Sequence, residues 1–179
     1  MMYLVTAYFD KDTSDRLGKI NDQTSQICGN DFMTANHIPP HLTLLQFQSR
    51  QNEEYVKSIF EKIELTKEPI DVEFKNVDSM IPHTLCFPVV KNEQLACINN
   101  LFYEKFCAMP DTIITRQYSP DNFYPHVSIA KRLSDSQKNT ALEFLTTAIH
   151  PKKAKIVKIV LTVGKPPKEL SASASMETM

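Results

Sequence analysis

A five-residue pattern occurs twice in this chain of 179 residues, as Pro40-His41-Leu42-Thr43-Leu44 and Pro125-His126-Val127-Ser128-Ile129. In a strand, residues i and i+2 share a face, so each copy presents an imidazole and a hydroxyl side by side, ~7 Å apart along the backbone. Histidine titrates near neutral pH, so two of them facing one substrate can divide the labour, one accepting a proton while the other donates one. On a phosphodiester, His41 and His126 would activate the attacking water or hydroxyl and protonate the leaving oxygen. Thr43 and Ser128 would donate to the non-bridging oxygens as charge shifts in the transition state. The composition surrounds a given histidine with this pattern only on the order of once or twice in a thousand. Two of the five histidines carry it.

Composition narrows the partners. With 20 basic and 21 acidic residues the formal charge is −1, which suits a small nucleotide or short RNA better than long duplex nucleic acid. The surplus of basic residues lies in the second half, where Lys152, Lys153, Lys155, Lys158, Lys165 and Lys168 read as a solvated strand face. Cys28, Cys86, Cys97 and Cys107 are widely spaced and read as reduced packing residues, with no zinc or disulfide pattern. No carboxylate cluster is placed to hold a metal, and three glycines cannot build a glycine-rich phosphate loop, so no metal or cofactor is expected. The chain also lacks a basic leader and any apolar run near the ~20 residues of a membrane span. A cytoplasmic monomer without membrane contact is the expectation.

The elements that must position the motifs follow from local pattern. Tyr3 to Phe9 reads as a strand, followed by a helix capped by Asp12 or Thr13 and closed by Gly29-Asn30. Pro39-Pro40 forbids helix, and His41 to Phe47 runs as a strand with His41, Thr43, Leu45 and Phe47 on one face. A helix through Tyr55 to Ile63 ends at Pro69, and strands Ile70 to Val77 and His83 to Val90 are expected to pair. The order then recurs: a helix from Glu93 to Phe106, an extended stretch at Ile113-Ile114, and the second motif strand. A helix from Asp135 to Ile149 capped by Ser134 or Asp135, and a closing strand Ile156 to Val163, complete a single domain of residues 1–170. Residues 171–179 read as a flexible tail.

Two His-x-Thr/Ser motifs on strands, half a domain apart, resemble the two-histidine (2H) phosphoesterase superfamily, which includes RNA 2',3'-cyclic phosphodiesterases and the 2'-5' RNA ligases. Met2-Tyr3-Leu4-Val5, Ile38-Pro39-Pro40-His41-Leu42-Thr43 and Pro125-His126-Val127-Ser128-Ile129-Ala130-Lys131 carry the likeness over nearly the whole chain. The resemblance implies an α+β fold of two duplicated antiparallel β lobes with outer helices and a cleft between them. It also implies His41 and His126 as acid and base, in an order it does not fix, with Thr43 and Ser128 holding phosphate. Serine in the second motif is an accepted variant. The implied activity is a metal-independent phosphodiesterase acting on 2',3'-cyclic phosphate RNA ends or on short 2',5'-linked or cyclic oligonucleotides. The alternatives are a nucleotide-binding module on the same fold and a 2'-5' RNA ligase running the reverse reaction.

Three further residues are candidates for a substrate pocket. Tyr124 shares the parity of His126, and Phe47 that of His41, so either ring could stack on a base; core packing competes for Phe47. Lys131 stands where similar sequences place a basic residue, but its strand parity is opposite to His126, leaving it either to steer an anion from the strand end or to be solvated. Arg132 lies too far along the strand to reach phosphate. His37, His83 and His150 lack the motif spacing and read as surface or packing residues.

Overall fold

The computed structural model describes the whole chain except residues 81, 82, 165, 166, 174 and 177–179. The elements in chain order are β1 (Met2–Phe9), α1 (Lys11–Cys28), α2 (Phe32–Ala35), β2 (Leu42–Ser49), α3 (Glu53–Glu61), β3 (Ile70–Glu73), β4 (Asp78–Met80) and β5 (Thr84–Pro88). Then follow α4 (Glu93–Cys107), β6 (Thr112–Ile114), a 3-10 turn (Arg116–Tyr118), β7 (His126–Lys131), α5 (Asp135–Thr147), β8 (Lys153–Val163) and β9 (Lys168–Ala172). Side-chain caps fix several of these boundaries. Asp10, rather than Asp12 or Thr13, caps α1 by accepting from the Thr13 amide at 2.9 Å, and Gly29 closes that helix with φ 64°. Ser134 and Gln137 form a reciprocal capping box at α5.

The fold is α+β, with every strand pairing antiparallel in one sheet of order β3-β8-β1-β2-β7-β5-β4; β6 adds to β2, and β9 to β8. Two lobes can be distinguished within that sheet, β3-β8-β1-β2 and β7-β5-β4, each drawing strands from both halves of the chain. They join through the Leu42–Val127 pair and through a Phe74–Val89 bridge. That bridge is the main pairing between the Ile70–Val77 and His83–Val90 segments. Otherwise β5 pairs with β4 and β7.

The helices cover one face and exchange sides. From the first half of the chain, α1 packs on β7 and α5, while α4 from the second half packs on β2 and β6. Each lobe is therefore roofed partly by the other half's helix, and neither can bury its apolar face alone. Tyr3, Val5, Ala7, Leu42, Leu45, Phe87, Val127, Ile159 and Leu161 are essentially inaccessible on that face. Phe47 sits among them, stacked between Tyr3 at 5.1 Å and Phe106 at 4.4 Å. No helix among the described residues is long and apolar enough to cross a membrane.

The segment from Ser171 is not frayed as far as it is described. Ser171 and Ala172 belong to β9, Ser173 N donates to Ile159 O at 2.8 Å, Met176 N donates to Val157 O at 2.8 Å, and the Met176 side chain is buried. The exposed edge of β8 supplies backbone partners that the tail's own composition does not reveal. Among the lysines of the second half, Lys155, Lys158 and Lys168 pair with Asp71, Glu169 and Glu53 on the surface. They form a solvated, paired face. Lys165 lies outside the described residues.

Candidate active site

The two motifs meet at one pair of residues. Leu42 and Val127, both fully buried, are antiparallel partners, so the next pairs outward set Thr43 opposite His126 and His41 opposite Ser128. All four side chains then occupy the sheet face away from the helices. Directly opposed residues on such a face have Cβ atoms ~5 Å apart, and diagonal ones such as His41 and His126 ~7–8 Å apart. An approximate twofold axis through the Leu42–Val127 pair exchanges the motifs.

The symmetry extends to the imidazoles. His41 Nδ1 lies 2.8 Å from Pro39 O, and His126 Nδ1 lies 2.8 Å from Tyr124 O. A carbonyl can only accept, so each Nδ1 carries a hydrogen and each neutral ring leaves its Nε2 lone pair free. Burial lowers the pKa of both rings below the ordinary value. The backbone acceptors work against this shift, and the nearby Lys131 charge adds to it for both rings.

A β-bulge follows the hydroxyl residue in each motif. In the first, Thr6 pairs with Thr43 but Val5 pairs with Leu45, leaving Leu44 as the extra residue. In the second, Cys86 pairs with Ser128 but Leu85 pairs with Ala130, leaving Ile129 extra. An extra residue reverses side-chain parity beyond it. Two expectations change as a result. Phe47 is carried to the core face, fully buried, and is no part of a substrate pocket. Lys131, opposite Thr84 on β5, is carried to the same face as His126 and Ser128. Its ammonium makes no ion pair among the described residues, and burial lowers its pKa. The residue equivalent to Lys131 in the first motif is Gln46, opposite Leu4.

Supporting groups come from elements that the motifs do not mark. Asn99 of α4 is fully buried, and its Nδ2 donates to Leu44 O at 2.9 Å and to Tyr118 O at 2.9 Å. It thereby holds the carbonyl of the bulge residue and anchors the 3-10 turn. The Tyr118 hydroxyl lies within side-chain hydrogen-bonding reach of Thr43, with its pKa raised by burial. Tyr8 reaches the same face, its ring 6.3 Å from that of His41.

Tyr124 stacks at 6.2 Å from the His126 ring and is 40% exposed, so one ring face is open to a ligand. Its hydroxyl donates to Asp78 Oδ2 at 3.0 Å, and burial together with that carboxylate pushes its pKa up to about 12. Cys86, opposite Asp78, is likewise pushed up to about 12, by burial first and the carboxylate second, so its thiol stays protonated and unreactive.

The remaining basic residues stand apart from this face. Arg132 lies with its guanidinium 4.3 Å over the Phe32 ring. His150 stacks on Phe87 at 4.2 Å with Nε2 3.2 Å from Lys75 O, a packing role. Leu133 N donates to the backbone carbonyl of His83 at 3.2 Å, and His37 lies in a loop beside α1.

Comparison with known proteins bears on the family and the fold. Residues 14–165 match the family model of the 2'-5' RNA ligase superfamily. Among solved structures, TT0787 of Thermus thermophilus is similar over 98% of both chains at 14% identity with a TM-score of 0.58, a likeness of fold. Usb1 of Kluyveromyces marxianus, solved with uridine monophosphate, is 13% identical over 94% of this chain and 96% of its own, with a TM-score of 0.42. A comparison with curated proteins found no match.

Proposed function

Since the chain belongs to the 2'-5' RNA ligase superfamily, and so to enzymes of phosphodiester chemistry, we propose that it is a metal-independent phosphodiesterase working as a cytoplasmic monomer. Its substrates are 2',3'-cyclic phosphate RNA ends or short 2',5'-linked or cyclic oligonucleotides. The observation that carries this reading is the Leu42–Val127 register, which sets each imidazole across from the other motif's hydroxyl.

In the proposed step, one neutral histidine takes a proton from water through Nε2 as the water oxygen bonds to phosphorus. The other histidine, protonated, gives its proton to the leaving ribose oxygen as that P–O bond breaks. The two imidazoles end with their protonation states exchanged and reset through solvent. Thr43, Ser128 and the Lys131 ammonium hold the non-bridging oxygens, and Tyr118 orients the Thr43 hydroxyl. The bound phosphodiester supplies the anionic partner that Lys131 lacks. Its charge also raises both imidazole pKa values, so that one ring is protonated in the complex.

The test is a panel of 2',3'-cyclic nucleotides, 2',5'-oligoadenylates and cyclic oligonucleotides with wild type, His41→Ala and His126→Ala, each with and without chelator. Either substitution should remove at least ~10²-fold of turnover with binding largely retained, and chelator should change nothing. Activity that survives both substitutions would sink the reading. A nucleotide-binding module would bind without turnover in the wild type, and a ligase would join a 2',3'-cyclic phosphate end to a 5'-hydroxyl end, the 5'-oxygen bonding to phosphorus as the P–O3' bond breaks, faster than water opens the ring.

A further inference from the structure

The row of the sheet that holds His41 and Ser128 continues past them on both sides. Ala7 pairs with Leu42, so the next pair outward sets Tyr8 of β1 across from His41, and the two rings lie 6.3 Å apart. On the other side, Cys86 of β5 pairs with Ser128, and Asp78 of β4 pairs with Cys86. The Asp78 carboxylate accepts from the Tyr124 hydroxyl at 3.0 Å and so holds that ring toward β4, 6.2 Å from the His126 ring. Tyr8 thus stands outside His41 toward β8, and Tyr124 outside His126 toward β4, with both imidazoles between them. From β1 to β5 is three strand spacings, ~14 Å, so one nucleoside can stack on only one of the two rings. Both rings meet solvent, Tyr124 with 40% of its surface and Tyr8 with a smaller part.

The charges beside the rings do not call for further phosphate. Lys158, across from Tyr8 on β8, has its ammonium 3.6 Å from the Glu169 carboxylate, and the charged partner of Tyr124 is the anion Asp78. An aromatic face, by contrast, stacks on any base. We infer that Tyr8 is a second base platform, and that the preferred substrate is a single phosphodiester bridging two nucleosides, as in a 2',5'-linked dinucleotide, with one base on each tyrosine. A 2',3'-cyclic phosphate puts only one nucleoside on phosphorus and fills the Tyr124 side alone. The inference rests on the phosphodiesterase reading for the place of the phosphate, among Thr43, Ser128 and Lys131, and narrows the substrates that reading allows.

The experiment compares the 2',5'-linked adenosine dinucleotide with adenosine 2',3'-cyclic phosphate on full-length wild type, Tyr8→Phe, Tyr8→Leu and Tyr124→Leu. Steady-state kinetics give KM, and calorimetry in a His126→Ala background gives Kd without turnover. Wild type should favour the dinucleotide by ~10-fold or more in both quantities, the value of one further stacked base. Tyr8→Leu should erase that preference and leave the values for the cyclic phosphate unchanged, Tyr8→Phe should retain it, and Tyr124→Leu should weaken both probes. If Tyr8→Leu folds poorly, Tyr8→Met fills the same space without an aromatic face and is read in its place. An equal loss on both probes in Tyr8→Leu would mean that Tyr8 merely holds the His41 ring, and overturns the inference. So does a dinucleotide preference that is absent from wild type or survives in Tyr8→Leu. If wild type turns over neither probe, the phosphodiesterase reading fails, and the paired Kd values still decide on Tyr8 by the same criteria; if neither probe binds, both fail.

Discussion

Replacing Lys131 by Gln tests the bulge, the face and the electrostatics together. Lys131 and Ser128 pair with Thr84 and Cys86, two residues apart on β5, so their Cα atoms are ~7 Å apart along the sheet. His41 lies across from Ser128, a further ~5 Å to the side. A lysine side chain spans much of the resulting ~8–9 Å, which puts the ammonium within ~8 Å of the His41 ring. At that distance, an effective dielectric of ~20 gives about 2 kcal/mol. Solvent and a Debye length of ~8 Å at physiological salt reduce this to somewhere near half. Burial first, and the ammonium in addition, oppose protonation of the imidazoles, so both titrate below the ordinary histidine value. The bell of kcat/KM, which reports the free enzyme, should therefore centre below pH ~6.5. In Lys131→Gln the His41 pKa should rise, moving the bell upward, while KM rises with the loss of a phosphate partner. Proton NMR titration of the histidine ring resonances, alongside kcat/KM profiles at low and high salt, reads both effects. Lys153→Gln on the solvated face is the control and should move neither. A His41 pKa that does not move would mean that Lys131 does not share the face, and the parity argument would fall with it.

Three further outcomes follow from the same geometry. Tyr124→Ala should raise KM for nucleotide substrates ~10-fold with little change in kcat, the value of one stacked base, whereas Tyr124→Phe, which keeps the ring, should cost much less; steady-state kinetics decide. Asn99→Leu leaves the carbonyls of Leu44 and Tyr118 without their donor, so chemical denaturation should show a loss of about 2–4 kcal/mol, and turnover should fall as Tyr118 loses its place beside Thr43. His41, His126 and His150 all have folded-state pKa values lowered chiefly by burial, so below pH ~6.5 the unfolded chain binds more protons and stability falls as pH drops toward the lowered values. Thermal melts from pH 7.5 to 5 should show this decline, with a shallower slope in a His41→Ala, His126→Ala double variant.

The four motif residues were legible because strand parity and a repeated spacing are local properties. The helices were legible from apolar periodicity and caps. What strand parity missed was the pair of bulges, which moved Phe47 to the core and Lys131 to the motif face. The trace of those bulges is present in the chain: His41, Thr43 and Gln46, and likewise His126, Ser128 and Lys131, stand at positions 0, 2 and 5. The adjacent apolar pairs Leu44-Leu45 and Ile129-Ala130 fill the gap in each. Alternation that slips by one residue in the same place twice is the mark of a bulge, since each of those four apolar side chains is buried. Asn99 and Tyr118 carried no such mark. They reach Leu44 and Thr43 only because α4 crosses to roof β2, an exchange of helices between lobes that no single segment encodes. The β9 pairing was hidden for the same reason, as it depends on the free edge of β8.

The approximate twofold axis raises a problem that the same residues resolve. A fully symmetric pair of His and hydroxyl groups would accept a phosphodiester in either of two orientations, with each imidazole serving as base half the time. The axis equates Gln46 with Lys131, so only the β7 side carries an ammonium, while each histidine has a tyrosine ring beside it, Tyr124 stacked on His126 and Tyr8 tilted against His41. An interaction near 1–2 kcal/mol at Lys131 favours one placement of the phosphate charge by roughly 5- to 30-fold. In the proposed reaction, the exposed Tyr124 ring would offer the nucleoside a stacking surface on the same side. Duplication thus supplies two proton-transfer groups of matched geometry, and in that reaction the divergence between Gln46 and Lys131 would assign them different work. In the proposed reaction the acid and base roles would follow from how Lys131 orients the substrate, because the Nδ1 partners of the two histidines are equivalent.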